Sequence, residues 1–274
     1  MSGTIAFIFQ PAEEGAPEGE QGGAALMIAE GVLDDLEPRA IFGLHVMPTL
    51  RAGQVGWRSG GIMASSDALR ITVEGKATHG SAPHQGVDAV YVAAQVVTAL
   101  QSVVSREVDS RRPAVVSIGS PHAGNRNNII AGQAVMEGTV RTLDAATRAQ
   151  VLAAVERVVA ATCQAHRATC AVTLGRALPP TVNDPALAMS AAAVLRTTLG
   201  EPSVVETEPI MAAEDFALFA ERVPGFYFHL GVGNPERGLT SYVHTPTFQP
   251  DEAAIGVGVR AAATLLVSAA SANR

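Results

Sequence analysis

The hydrophobic pattern separates two kinds of territory. At the start, a continuous apolar run from Ile5 to Phe9 predicts a buried strand over residues 4–10. Ala24, Ala25, Met27, Ile28 and Ala29 before Gly31 predict a helix over 22–31, and Ala40 to Phe42 open a second strand over 40–46. Residues 55–58 predict a short extended piece before Gly60-Gly61. From Ala64 the pattern changes. Residues 68–74 alternate as a strand, and residues 87–106 carry Val90, Ala94, Val97, Leu100 and Val104 at helical spacing. Strands over 114–119 and 134–142, a helix over 144–166 starting at Asp144, and a strand over 171–174 follow. The order β-α-β-β-α-β predicts a split βαβ, ferredoxin-like arrangement.

Leu178-Pro179-Pro180 marks a boundary. Helices over 185–199, 214–222 and 251–270 and a strand over 225–231 resume the earlier alternation. The expected fold class is α/β, with a discontinuous domain of residues 1–64 and 179–274 and an inserted α+β domain of residues 65–178. No internal repeat or low-complexity linker interrupts it.

Composition narrows the function classes. With 274 residues and 47% hydrophobic content, the chain can build a substantial core. A net charge of −7 without a basic run argues against nucleic acid as a partner. No stretch approaches the roughly 18 uninterrupted apolar residues of a membrane span. No signal-peptide pattern opens the chain, so a cytoplasmic protein is expected. Cys163 and Cys170 do not make a disulfide framework, and free thiols are expected of them.

The candidate chemistry begins where the first strand ends in Glu13-Glu14. Strand ends are where α/β sheets build sites, and adjacent residues there point to different sides. One acid can then hold a metal while the other takes a proton from metal-bound water. His45, after the second apolar run, and His244, in Val243-His244-Thr245-Pro246, are further metal-ligand types beside apolar contexts.

Six ordered motifs, FQPAEEG, IFGLHV, KATHGSAPH, EGTVRT, AAEDFALF and VHTPTF, together carry a resemblance. The chain resembles the metal-dependent amidohydrolases that include hippurate hydrolase, N-acyl-amino-acid deacylases and the plant auxin–amino-acid conjugate hydrolases. These belong with the aminoacylase and glutamate-carboxypeptidase type of metallopeptidase. The resemblance runs from about Gly3 to about Gly256. It implies a zinc-peptidase-like catalytic domain with an inserted lid that also dimerises. It further implies two divalent metals per site (zinc, manganese, cobalt or nickel) and an N-acyl amino acid as substrate. It assigns Glu13 as general base, Glu14, His45 and His244 as metal ligands, and His79 as the group that stabilises the oxyanion. It assigns Asn128 and Arg141 to substrate binding, the guanidinium suiting a carboxylate, and Glu214 to orienting a ligand. His84 is assigned a structural role, and His122, His166 and His229 match no motif and are read as structural.

The chain also departs from the family's pattern. The family carries a segment upstream of FQPAEEG, with a Cys and a His that bind metal, and this chain begins at the strand. The resemblance therefore implies that two of five usual ligands are missing. Two other readings stay open: a non-catalytic, lid-mediated dimer or binding module, and a fragment that needs an upstream polypeptide to cover Ile5, Phe7 and Phe9.

Overall fold

A computed structural model describes residues 3–17, 20 and 22–271. In chain order the elements are α1 (Gly23–Ala29), α2 (Val32–Leu36), β1 (Ile41–Arg51), β2 (Val55–Trp57), β3 (Gly60–Met63), β4 (Ser66–Glu74), β5 (Thr78–His79) and α3 (Ala89–Ser102). Next come β6 (Ala114–Ala123), β7 (Ile129–Ile130), β8 (Gln133–Thr142), α4 (Ala145–Ala165), β9 (Thr169–Leu178) and β10 (Thr181–Asn183). The chain closes with α5 (Pro185–Leu199), β11 (Val204–Glu206), α6 (Phe216–Ala220), β12 (Gly225–Gly233) and α7 (Ala253–Ser271). Two compact units result: Met1–Met63 with Thr181–Ile210 and Glu214–Arg274, and Ala64–Pro180 with Met211–Ala213.

The first unit is organised by β12, which is buried along its whole length. Its sheet runs β1-β12-β2-β11, with β1 parallel to β12. Successive residues of a strand face opposite ways, and β12 fills both sides. Phe226, Phe228 and Leu230 pack with α5 and α7 through Ala188, Leu195, Val257 and Leu265. Tyr227 points the other way, into a cluster with Ala24, Ile62, Phe216 and Phe219. A strand covered on both faces reads as a largely apolar run, and in Gly225–Gly233 only Tyr227 and His229, two apart on one face, bring polar groups into it.

By length and mean hydropathy (1.7), α7 could cross a membrane. One face of it, Ala254, Val257, Ala261 and Leu265, is buried in the core of the first unit, while Ile255 and Val259 on the other face are each 63% exposed.

The second unit is an antiparallel sheet in the order β6-β8-β4-β9, with α3 and α4 packed together against it. β4 alternates: Leu69, Ile71 and Val73 enter the core with Met136 and Val140 of β8, while Arg70 and Glu74 stay exposed. Asp88 and Asp144 cap the two helices, accepting from Val90 N at 2.9 Å and from Thr147 N at 2.8 Å. α3 ends before the expected helix does, passing into a π-turn over Val103–Glu107. One charged pair is embedded here. Asp67 is fully buried and receives two bonds from Arg148, Nε to Oδ2 at 2.8 Å and an Nη to Oδ1 at 2.6 Å.

Two expectations are corrected. Residues 4–10 form neither strand nor helix and join no sheet, and Phe7 and Phe9 are 71% and 87% exposed. The apolar run has strand character, yet a strand needs a hydrogen-bonded neighbour and none is present among the described residues. Cys163 and Cys170 are not free thiols; they form a disulfide, with Cα atoms 6.0 Å apart. The turn after α4, held by Ala168 N donating to Cys163 O at 2.9 Å, brings the start of β9 back beside the helix end.

Replacing Arg148 by Met strands a buried carboxylate and should destabilise the second unit by about 3–5 kcal/mol. Urea unfolding followed by a probe in that unit measures this, and a shift under 1 kcal/mol, the range of an exposed ion pair, would show that Asp67 does not depend on the pair. Thiol labelling of the native, unreduced chain should modify neither cysteine. Reduction should cost roughly 2–3 kcal/mol of stability, the loop-closure value for so short a ring.

Candidate active site

The two acids of the opening motif lie on a tight turn rather than at the end of a paired strand. Gly15 N donates to Ala12 O at 3.2 Å, and Ala12 takes the left-handed conformation with φ 53°. Its neighbours then diverge. Glu13 turns inward and is half-buried, while the Glu14 side chain is 73% exposed.

The inward acid meets two buried carboxylates. Glu214 and Asp215 are 6% and 2% exposed, and one oxygen from each can come within 4.8 Å of one from Glu13. Glu214 is fixed by Tyr227, whose hydroxyl donates to Oε2 at 2.6 Å, and by Phe216 N, which donates to Oε1 at 3.3 Å. Asp215 accepts from Ala24 N at 2.8 Å and from Gln10 Nε2 at 2.5 Å. Tyr227 lies close over β1 because residue 43 is glycine: a Cβ there would fall 2.8 Å from the tyrosine ring.

Burial first, then the charge of Glu214, a hydrogen bond to Glu214, and the charges of Asp215 and Glu14 push Glu13 up to about 7. Two carboxyl groups can share a hydrogen bond only by keeping a proton between them. Burial, and then Glu214, also hold the Tyr227 phenol above its ordinary range, so it stays a donor.

The exposed acid has a different neighbour. His244 Nε2 lies 3.6 Å from Glu14 Oε1, and His244 has φ 62°. Left-handed backbone at a non-glycine residue is a strained conformation that clusters at functional sites. Among the described residues this conformation recurs at Ala12, two residues before Glu14. His45, on β1, is half-buried, and its Nδ1 lies 2.7 Å from Val46 O. A carbonyl only accepts, so Nδ1 carries the proton and Nε2 keeps its lone pair. Glu14 and His244 thus face each other, but His45 does not close a ligand-spaced triad with them among the described residues. The described group of three with ligand spacing is Glu13, Glu214 and Asp215.

The other assigned residues belong to the second unit. His79 is paired with Ile129, and Gly80 N donates to Asn128 O at 2.7 Å, so His79 and Asn128 are neighbours. His79 Nδ1 accepts from Ser81 N at 3.1 Å, which leaves the proton of a neutral ring on Nε2. Arg141 stands near the far end of β8, opposite Val115, about 25 Å along the strand from the Asn128 turn. Its guanidinium donates to Met211 O at 3.1 Å. Asn128 and Arg141 are therefore not brought together within this unit.

Two residues of the first unit carry no functional assignment in the sequence: Tyr227, and His229, which is read there as structural. Asp215, next to Glu214 at the start of α6, makes no side-chain cap bond to its own helix. Tyr227 and His229 lie two apart on the inward-facing row of β12, a signal the alternation of the strand contained. His229 pairs in register with His45, is 1% exposed, and has no partner for Nε2. Burial, then the neighbouring His45, pull it down to about 4, so it is neutral near pH 7. Of the other histidines read as structural, His122 bonds Ser120 at 2.8 Å and His166 stacks edge-on against Tyr91.

Comparison with known proteins fits this geometry. The chain is 38% identical over 268 residues to thermostable carboxypeptidase 2 of Saccharolobus solfataricus, covering 97% of this chain and 66% of that protein. It is 38% identical over 267 residues to N-acetylcysteine deacetylase of Bacillus subtilis, covering 97% and 67%. Among solved structures, the Bacillus subtilis YXEP protein, described as a dinuclear metal binding peptidase from the M20 family, superimposes with a TM-score of 0.78 at 34% identity. That match covers 96% of this chain and 64% of that one. The chain thus spans about two thirds of the length of the curated relatives it matches. The profile of peptidase family M20/M25/M40 matches residues 1–268, and the chain belongs to that family.

Proposed function

We propose that this chain carries the base and part of the metal-binding apparatus of an amidohydrolase that cleaves the amide bond of N-acyl amino acids or similar small conjugates. The observation that carries this reading is the split of the Glu13-Glu14 pair. Glu13 is an inward acid held near 7, suited to take up and release a proton at neutral pH, and Glu14 is an outward acid facing a histidine. The names of the relatives, a deacetylase and a dinuclear metal-binding peptidase, support the same class.

The donor chemistry fits divalent cations. Carboxylate from Glu14 and imidazole from His244 and His45 are the ligand types of zinc, manganese and similar ions. The triad of Glu13, Glu214 and Asp215 is close enough for a cation, but Glu214 and Asp215 each have both oxygens already engaged by protein donors. Glu14, His45 and His244 are therefore the assigned ligands, with two ions per site on this reading. A bound cation would supply Lewis acidity that activates water and polarises the acyl oxygen. Glu13 takes the proton from the attacking water and returns it to the departing nitrogen. Water and amide become a carboxylate and a free amino group. Glu214, pinned by Tyr227, holds Glu13 in place. His79 is assigned to the developing oxyanion, contributed across a homodimer formed by the second unit. Asn128 and Arg141 are assigned to the substrate, whose carboxylate suits the donors Arg141 retains beyond its bond to Met211.

A second reading, a non-catalytic dimerising or binding module, is favoured by one observation: Glu14, His45 and His244 do not converge to ligand spacing. Hydrolysis of a panel of N-acyl amino acids, N-benzoylglycine included, with Mn²⁺ or Zn²⁺ and a chelator control, separates the two. Chelator-sensitive turnover that falls roughly 100- to 10,000-fold in Glu13→Gln supports the base assignment. A folded, dimeric sample without turnover supports the second reading.

Proton linkage gives a further check. The metal-free folded state keeps a proton on Glu13 up to about 7, whereas an ordinary glutamate with a value of 4.5 releases it. Between those values the folded state binds more protons than the unfolded one, so this group's contribution to stability falls as pH rises through the window. Mn²⁺ affinity should rise over the same window, because a charged Glu13 carboxylate rather than a neutral carboxyl then stands beside the cation. Calorimetry at pH 5.5, 6.5 and 8 (buffer values spanning about 7) measures this, and a flat profile contradicts the assigned cluster.

A further inference from the structure

We propose that Asp215 is the positioning residue of the acidic turn: a buried carboxylate latch that joins the entry and exit of residues 10–24 and so sets where Glu13 and Glu14 point. Asp215 stands at the N-cap of α6 with helical backbone, but its side chain makes no cap bond. Both oxygens reach away from the helix instead. Oδ1 accepts from Gln10 Nε2 at 2.5 Å, just before the turn, and Oδ2 accepts from Ala24 N at 2.8 Å, in the first turn of α1. Gln10 and Ala24 bracket the segment that carries the two acids.

The backbone is shaped to admit this closure. Gly23 N donates to Pro11 O at 2.7 Å across the same gap. Gly23 has φ 67°, and a Cβ there would fall 2.2 Å from Asp215 Oδ2. A Cβ on Gly22 would fall 2.8 Å from the Ala12 Cβ. The glycine pair therefore lets the exit of the segment lie against both the latch and the turn. Within the closed segment Ala12 holds left-handed backbone at φ 53°. Such a conformation at a residue with a side chain persists only where its surroundings over-determine it.

The two buried acids divide the task. Glu214 bonds Glu13 directly, and Asp215 acts through the backbone on either side. Asp215 is thus assigned no chemistry of its own. Its consequence for cation binding rests on the amidohydrolase reading; the latch itself does not.

The test uses Asp215→Ala, which removes both bonds, Gln10→Met, which removes only the entry bond at similar side-chain length, and Asp215→Asn, which can keep both if the Gln10 amide turns over. Hydrogen exchange of peptides covering residues 11–24 is measured beside thermal unfolding and Mn²⁺ binding by calorimetry with the metal alone. Asp215→Ala and Gln10→Met should speed exchange in that segment while peptides of the second unit stay unchanged. Both should weaken Mn²⁺ binding by about 10- to 100-fold, the range for groups that orient ligands, and Asp215→Asn should recover most of it. Unchanged exchange at 11–24 in both variants overturns the latch. Faster exchange with wild-type Mn²⁺ affinity overturns the positioning role. If the unmutated chain binds no Mn²⁺, the amidohydrolase reading fails while the exchange measurement still decides the latch. If Asp215→Ala does not fold, Gln10→Met carries the test.

Discussion

Burial of two carboxylates under a strand that is itself covered on both faces is the constraint on which the first unit depends. Isolated charges are expensive away from water, so Glu214 and Asp215 need donors on every oxygen. The fold supplies them from distant parts of the chain: a tyrosine hydroxyl on β12, the amide of Phe216 at the start of α6, the amide of Ala24 in α1 and the side chain of Gln10. Satisfying these two acids therefore draws together four segments. The turn bearing Glu13 and Glu14 is held in place as a consequence. The same burial leaves Glu13 beside acids that are already committed, which is why its proton is retained to neutrality.

The sheet explains why this arrangement can exist. Because β12 is apolar toward α5 and α7, its opposite row is free to present Tyr227 and His229. Gly43 on the neighbouring strand gives the tyrosine ring its place. Large aromatic side chains and one glycine thus convert a core strand into the floor of a polar site. The second unit is built differently, as two helices on one face of an antiparallel sheet, and its alternating strands show it. Its helix caps at Asp88 and Asp144 are local, while the embedded Asp67 is met by Arg148 from 81 residues further along the chain.

The exposed segment at Phe7 and Phe9 belongs to the same reasoning. Residues that would suit a buried strand join no sheet among the described residues, and Phe7 and Phe9 stay exposed. An apolar run of this kind is a template for pairing with another strand. The disulfide is the opposite case, a local closure between the end of α4 and the start of β9 that needs no partner beyond its own turn.

By itself the sequence determined the α/β class, the change of pattern near residue 64 and again near 180, and the residue types of the candidate site, because periodicity and punctuation are local properties. The acids at 13 and 14 and the histidines at 45, 79 and 244 stand out in the sequence as candidates, through short motifs whose order carries the family resemblance. The tertiary structure alone decided the rest. That Glu13 turns inward and Glu14 outward depends on a left-handed residue and on a carboxylate 200 positions away. The sequence places Asp215 beside Glu214 at a helix start, but nothing local reveals that its oxygens serve Gln10 and Ala24. The pairing of Cys163 with Cys170 depends on the return of the chain after α4, and residues 4–10 find no neighbouring strand among the described residues. Spacing along a chain states what a residue can do, while burial and long-range hydrogen bonding decide which of those capacities it uses.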